Sequence, residues 1–365
     1  MYNFKEKELG PDFAQDKLKD FKELMDSAHS FVVLSMPGVG VSYFLRYLAM
    51  QDFASFFHID LYSLPTLTQH EFYKLLLTEL GGKPGSKTTE QLLEEAKTIL
   101  KKLSEKQAKI VLIFSRFDQL KKEFDNQFLS NIQSLTTVSE GKIVLIFTSV
   151  KPLTEISTEP LSGGNLNFFS EILYFKPYSE KDLKKLLTIE PYRATPDHLI
   201  NLSGGHYQLL QILRRSQKQQ NLLLDQFVKL QMKGLIDYLD YVQRKQLQKV
   251  ALGRKVDEID EYLLGVGLIT QSNQLFTPLL AEYIRLNTPV KLPLKEAKLF
   301  KLLRNKAGSV VSKDEIFKTV WGQDSEASDW ALDALIYRLR KHPFMQTHGY
   351  IIESHKKVGY TLVQV

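Results

Sequence analysis

Between Lys295 and Val365 the apolar residues switch from helical to alternating spacing, and few folds accommodate the order in which they do so. Leu299, Leu302 and Leu303 fall at helical spacing before a stop formed by Ala307, Gly308 and Ser309. A second short helix is predicted through Asp314, Glu315, Ile316, Phe317 and Val320, with Ser312 as its N-cap. Leu332, Ile336 and Leu339, spaced four and three apart, share the buried face of a third helix. Two β-like runs close the chain, at residues 350–353 and 360–363. Between them His355, Lys356 and Lys357 precede Gly359 in a tight basic turn.

Three helices and a terminal hairpin make a winged helix-turn-helix. The segment from about Pro293 to Val365 resembles the C-terminal DNA-binding domain of OmpR/PhoB-type response regulators. The resemblance rests on Val320-Trp321-Gly322, on Leu339-Arg340-Lys341 and on Val358-Gly359-Tyr360. It implies that the third helix enters the major groove of duplex DNA and that the wing touches the minor groove beside it. Carried over by position, Trp330, Ala331, Ala334, Tyr337, Arg338 and Lys341 form the outward face of that helix, and Lys356 and Lys357 the wing. Trp330, Ala334, Leu335 and Tyr337 make this face less polar than is usual, suited to thymine methyls or to a protein surface. Arg338 and Lys356 are expected to be exposed. The four-stranded sheet that opens the family's domain has no counterpart in the sequence.

The net charge of +6 is modest, but it is unevenly placed. From Thr288 onward there are 13 Lys and Arg against 8 Asp and Glu; the preceding residues hold 35 against 34. The basic excess thus falls in the segment that would meet phosphate. The absence of cysteine excludes disulfides and thiolate metal sites. The first ten residues are polar, and no apolar run nears the roughly 18 residues of a membrane span, so the cytoplasm is the expected compartment and no membrane partner is anticipated.

The amino-terminal half carries a different pattern. An amphipathic helix is predicted over residues 11–30, followed by the buried strand Phe31-Val32-Val33-Leu34-Ser35. Then comes Met36-Pro37-Gly38-Val39-Gly40-Val41-Ser42, leading into a helix with Phe44, Leu45, Tyr47 and Leu48. Strand, glycine loop and helix form the P-loop arrangement, in which backbone N–H groups and a helix N-terminus surround a phosphate. A lysine normally reaches the β- and γ-phosphates, and a Ser or Thr hydroxyl holds magnesium. Here Val41 occupies the lysine position, Ser42 keeps the hydroxyl, and Ser35 stands at the outermost glycine position.

The run Ile110-Val111-Leu112-Ile113-Phe114-Ser115-Arg116-Phe117-Asp118 resembles the Walker B strand of AAA+ and STAND-type ATPases, including the initiator branch. By that resemblance Ser115 replaces the magnesium-binding Asp and Arg116 the Glu that activates water. Residues 142–149 resemble the sensor-1 strand. Residues 175–182 resemble the turn into the lid, with Ser179 capping a helix and Asp182 at the capping-box position. Ser203-Gly204-Gly205-His206-Tyr207 resembles the Gly-Gly-His-Pro run of STAND lids, with Tyr207 in place of proline.

The expected fold is therefore an α/β P-loop domain, a parallel sheet with flanking helices, plus a helical lid and two winged-helix domains. The expected divisions are 1–175, 176–221, 222–287 and 288–365. In the third, residues 268–270 and 274–277 would pair as a hairpin and Pro278 would open a helix; domain packing is favoured for it over a second DNA contact. Asn287, Thr288 and Pro289 form the linker, and residues 81–86 and 161–167 are mobile-loop candidates. No catalytic residue and no metal ligand is assigned. Pro37, Gly38, Gly40, Val41, Ser42, Ser115 and Arg116 mark a degenerate nucleotide site. It serves either as turn geometry alone or for weak ATP or ADP binding through the loop amides. The expected function is sequence-specific DNA binding in transcription regulation, the ATPase-like body serving regulation, self-association or a protein partner. An active AAA+/STAND switch or initiator-like ATPase is the alternative; a protein-binding scaffold is a second one. No receiver domain with an early acidic pair and a later lysine is seen.

Overall fold

Phe31–Ser35 is buried along its whole length, as are Ile110–Ser115 and Ile143–Ser149. Strands this apolar on both faces belong inside a parallel sheet covered on both sides. A computed structural model describes residues 5–27, 30–123, 125–139, 141–152, 155, 171–189, 195–216, 221–287, 292–322, 327–342, 344–345, 349–356 and 358–364. In it β1 (Phe31–Ser35), β2 (Ser55–Asp60), β3 (Ile110–Ser115), β4 (Ile143–Ser149) and β5 (Ile172–Phe175) form one parallel sheet in the order β2-β3-β4-β1-β5.

The helices up to Gly265 are α1 (Gln15–Asp26), α2 (Val41–Leu48), α3 (Gln69–Glu79), α4 (Thr89–Lys106), α5 (Asn126–Gln133), α6 (Glu180–Thr188), α7 (Asp197–Ser203), α8 (Tyr207–Ser216), α9 (Gln226–Asp237), α10 (Tyr241–Ala251) and α11 (Glu261–Gly265). The amphipathic segment 11–30 is shorter than expected, because Ala14 is left-handed (φ 47°) and holds the chain out of helix until Gln15. Ser179 caps α6, accepting from the Asp182 N–H at 3.1 Å. The Asp182 carboxylate accepts instead from the Ser179 hydroxyl (2.6 Å) and the Ala14 N–H (2.9 Å), which ties the start of α1 to the lid.

The remaining helices are α12 (Pro278–Asn287), α13 (Leu294–Asn305), α14 (Lys313–Trp321) and α15 (Asp329–Lys341). They accompany a small antiparallel sheet of β6 (Val311–Ser312), β7 (Tyr350–His355) and β8 (Gly359–Gln364), ordered β6-β8-β7. The chain divides into two compact units, one of residues 1–243 and 258–277, the other of 244–257 and 278–365. Pro278 opens α12 as anticipated, and the preceding hairpin is minimal: one bridge, Ile269 to Leu275, flanked by Thr270 N–H to Gln274 C=O at 2.8 Å and Phe276 N–H to Leu268 C=O at 3.2 Å. Residues 81–86 connect α3 to α4, whereas 161–167 lie outside the described residues, as do Thr288 and Pro289 of the linker.

The core of the second unit is built by Leu299, Leu303, Val311, Ile316, Leu332 and Leu339, with further apolar residues around them. Ser312 and Ser328 cap α14 and α15. Gly359 is required by packing: a Cβ there would stand 1.9 Å from the Val311 carbonyl oxygen, so β6 can pair only with a glycine.

Candidate nucleic-acid interface and the glycine-loop pocket

On α15 the buried residues are Leu332, Leu335, Ile336 and Leu339, which corrects the sequence reading at one position: Leu335 points into the core, not outward. The opposite face presents Trp330 (79% exposed) and Tyr337 (63% exposed), with Lys341 exposed and Ala334 half-buried. Arg338 is exposed over half its side chain, yet its Nε donates to Oε1 of the buried Glu296 at 3.0 Å. Lys356 is exposed in the turn between β7 and β8; Lys357 lies outside the described residues. Arg340, to which the sequence assigns no task, clamps the wing: its Nε and Nη2 donate to the Ile352 carbonyl at 3.0 and 2.7 Å, and Nη2 reaches the Ser354 hydroxyl at 2.7 Å. The Tyr360 hydroxyl donates to Asp333 at 2.9 Å, a second tie between hairpin and helix. The wing is thereby held in a set position relative to α15.

Residues 287–362 match the family model described as "Transcriptional regulatory protein, C terminal". The C-terminal module is a transcriptional-regulator C-terminal domain. This regulator domain covers about a fifth of the chain. No curated protein matches the sequence. Solved structures similar to the chain include the Aeropyrum pernix ORC1 protein in complex with DNA (13% identity, 99% of this chain, 94% of that one, TM-score 0.40). Others are the Walker-type ATPase PABY2304 of Pyrococcus abyssi (14%, 74% and 95%, TM-score 0.45) and CDC6p from Pyrobaculum aerophilum (14%, 97% and 92%, TM-score 0.39).

At the carboxyl ends of the parallel strands, where ligands bind in such sheets, lies a cavity of about 560 Å³ lined by Gly38, Gly40, Ser42, Arg116, Thr148 and Gln211 among others. Pro37, Val41 and Ser115 belong to its surroundings: Pro37 and Val41 line it, and Ser115 ends β3 beside it. Gly38 and Gly40 are left-handed (φ 78° and 106°), so the loop needs its glycines. The lid comes down on the loop. The first amides of α8, which have no partner within the helix, donate to it: Tyr207 N–H to the Val39 carbonyl at 3.4 Å and Gln208 N–H to Gly38 at 3.1 Å. Tyr178 adds a hydroxyl bond to the Gly40 carbonyl at 2.8 Å. His206 is fully buried; its Nδ1 accepts from the Leu209 N–H, so Nε2 carries the proton and donates to the Pro37 carbonyl at 2.9 Å. Burial pushes His206 down to about 4, which keeps this tautomer neutral at pH 7.

The charges of the pocket are spoken for by the protein. Arg116, left-handed at φ 61°, pairs with Asp60 at 3.0 Å, covers the Tyr62 ring and donates its N–H to Thr148 Oγ1 at 2.7 Å. Arg46 pairs with the buried Glu6 at 2.6 Å. Ser115 Oγ shares a 2.6 Å hydrogen bond with His58 Nε2, and burial lowers the His58 pKa to about 4. At the end of β3, then, a neutral Ser–His pair and a cation stand where the resemblance calls for two carboxylates. Mg²⁺ takes hard oxygen donors in near-octahedral geometry. The cavity is lined by the hydroxyls of Ser35, Ser42, Thr148 and Ser149 and by the carboxylate of Asp118, while Ser115, at the position of the metal carboxylate, is bonded to His58. Among the described residues no group of three His, Cys, Asp or Glu side chains is placed to hold a metal ion.

Proposed function

We propose that the chain is a sequence-specific DNA-binding transcription regulator whose P-loop-like body binds and regulates instead of hydrolysing nucleotide. The observation that carries this reading is the regulator domain itself: α15 turns Trp330, Tyr337 and Lys341 outward while Arg340 and Tyr360 lock the basic wing beside it. Phosphate contacts from Lys341 and Lys356 supply position, and the aromatic side chains of α15 supply apolar contact with base edges.

For the body, the reading rests on Val41, on the Ser115–His58 pair and on the Arg116–Asp60 pair. Phosphoryl transfer depends almost wholly on positioned cations and metal-held charge. Here the lysine is an isopropyl group and the metal carboxylate is a hydroxyl. The body then acts through its surfaces, on a second copy or a protein partner.

The test is selection of bound duplexes from a random pool by the full chain, followed by gel shifts over a salt series. Enrichment of one sequence, with affinity falling as salt rises, is the expected result. No retention of duplex at low salt would end the DNA reading. ATP turnover that requires magnesium and disappears in Ser42→Ala would end the reading of the body.

A further inference from the structure

The basic surface of the second unit does not begin at the linker. Residues 244–257 belong to the same compact unit as the regulator domain and bring Arg244, Lys245, Lys249, Arg254 and Lys255 against a single acid, Asp257. With them, that unit holds 19 Lys and Arg against 10 Asp and Glu, whereas the sheet unit holds 29 against 32. The fold has sorted a nearly even chain into one acidic and one strongly basic body.

We propose that the carboxyl half of α10 and the loop after it form a second DNA-contacting strip, a phosphate clamp that extends the footprint of α15 along the duplex backbone. This rests on the DNA reading given above. All five cations are exposed, and the apolar side of the strip, Leu247, Val250, Ala251 and Val256, is buried, so the basic side is what this element turns to solvent. The strip is anchored within its own unit: Arg285 of α12 donates to the Ala251 carbonyl at 2.7 Å. It belongs to the same compact unit as the reading helix. Arg254 acts electrostatically on His342, the C-cap residue of α15, whose pKa is lowered first by burial and further by that charge, against the opposing Glu296. The last turn of α15 carries Arg338, Arg340 and Lys341, so the carboxyl end of the reading helix is basic as well.

Lys245 and Lys249 stand at i,i+4 on one helix, a pair of like charge on one face. A surface serving only solubility mixes both signs. Closely spaced cations with one acid among them match the regular negative charge of a duplex, where each neutralised phosphate releases counterions.

The experiment compares the full chain with Lys249→Ala/Arg254→Ala/Lys255→Ala on duplex of the selected sequence and on random duplex. The variant should bind both at least tenfold more weakly at low salt, with the slope of log K against log salt lower by about 2 to 3, since each phosphate contact contributes about 0.9. The preferred sequence should not change, because backbone contacts carry no base information. Acetylation of the unsubstituted protein gives a readout that does not depend on the variant folding: duplex should protect Lys249 and Lys255 together with Lys341 and Lys356. Protection of Lys341 and Lys356 alone, or an unchanged salt slope in a folded variant, overturns the clamp and leaves the DNA reading standing. Failure of the unsubstituted chain to bind any duplex overturns the DNA reading itself. Protection of Lys249 and Lys255 by anionic vesicles but not by duplex overturns the clamp in favour of a membrane surface.

Discussion

Arg338 and Glu296 form a hydrogen-bonded ion pair at 3.0 Å, in which the arginine is half exposed on the reading helix and the glutamate is 8% exposed in the domain interior. Arg338 therefore holds α15 to α13 as well as facing the solvent. Arg338→Ala leaves a buried carboxylate without its donor and should destabilise the regulator domain by about 1–3 kcal/mol, besides weakening DNA binding. Adding Glu296→Ala should recover part of the stability and none of the affinity. Denaturant titration with gel shifts checks both; an Arg338→Ala protein as stable as its parent would show that the pair contributes nothing.

Gly40 sits at φ 106°, and a Cβ there would stand 2.9 Å from both Tyr178 Cε2 and Tyr207 Cβ. Gly40→Ala should lower the stability of the sheet unit by about 1–3 kcal/mol through backbone strain alone, and by more once the lid is pushed away. Thermal melting measures it, and unchanged melting would mean that the loop and lid are not packed as described.

His58 and His206 both titrate near 4 in the fold, against 6.5 for an ordinary histidine. The unfolded chain therefore takes up these protons first as the pH falls. The stability they contribute is complete above pH 6.5 and is lost progressively from there down to about 4, on the order of 3 kcal/mol for each. Denaturant midpoints between pH 7.5 and 4.5 should drop accordingly, and His58→Gln should drop less. A variant with the full acid sensitivity of its parent would remove His58 from this account.

Val41→Lys restores the missing cation of the loop and nothing at the end of β3, where Ser115 remains bonded to His58. No magnesium-dependent ATP turnover is expected from this single change, with or without DNA. Turnover above background in a coupled assay would contradict the assignment of the body as a non-hydrolysing domain.

Leu332 is wholly buried in the core of the regulator domain. Leu332→Ala should cost about 2–5 kcal/mol, as core truncations do. A chemical melt of the full chain, followed through the change in tryptophan fluorescence from Trp321 and Trp330, reports on this unit; an unshifted transition would place Leu332 outside the core.

Local spacing was enough to read the elements that position both sites. The i, i+4, i+7 spacing of Leu332, Ile336 and Leu339 can bury only as one helix face, and the unbroken runs ending at Ser35, Ser115 and Ser149 can only be interior strands. Leu335 escaped that reading because a helix face wider than the i, i+4 stripe also buries its flank. The need for Gly359 shows in the sequence as a turn residue, but its cause is the Val311 carbonyl, a residue 48 positions earlier.

By itself the sequence settled which charges are missing: Val41, Ser115 and Arg116 are covalent facts that no folding can alter. Which of the remaining charges meet one another was settled only in three dimensions. Arg116 finds Asp60 across neighbouring strands, Arg338 finds Glu296 across two helices, and residues 244–257 join a unit whose other parts begin at Pro278. The physical reason is that secondary structure follows from interactions between near neighbours in the chain, whereas Coulomb attraction and burial act between groups that are brought close only when distant segments pack.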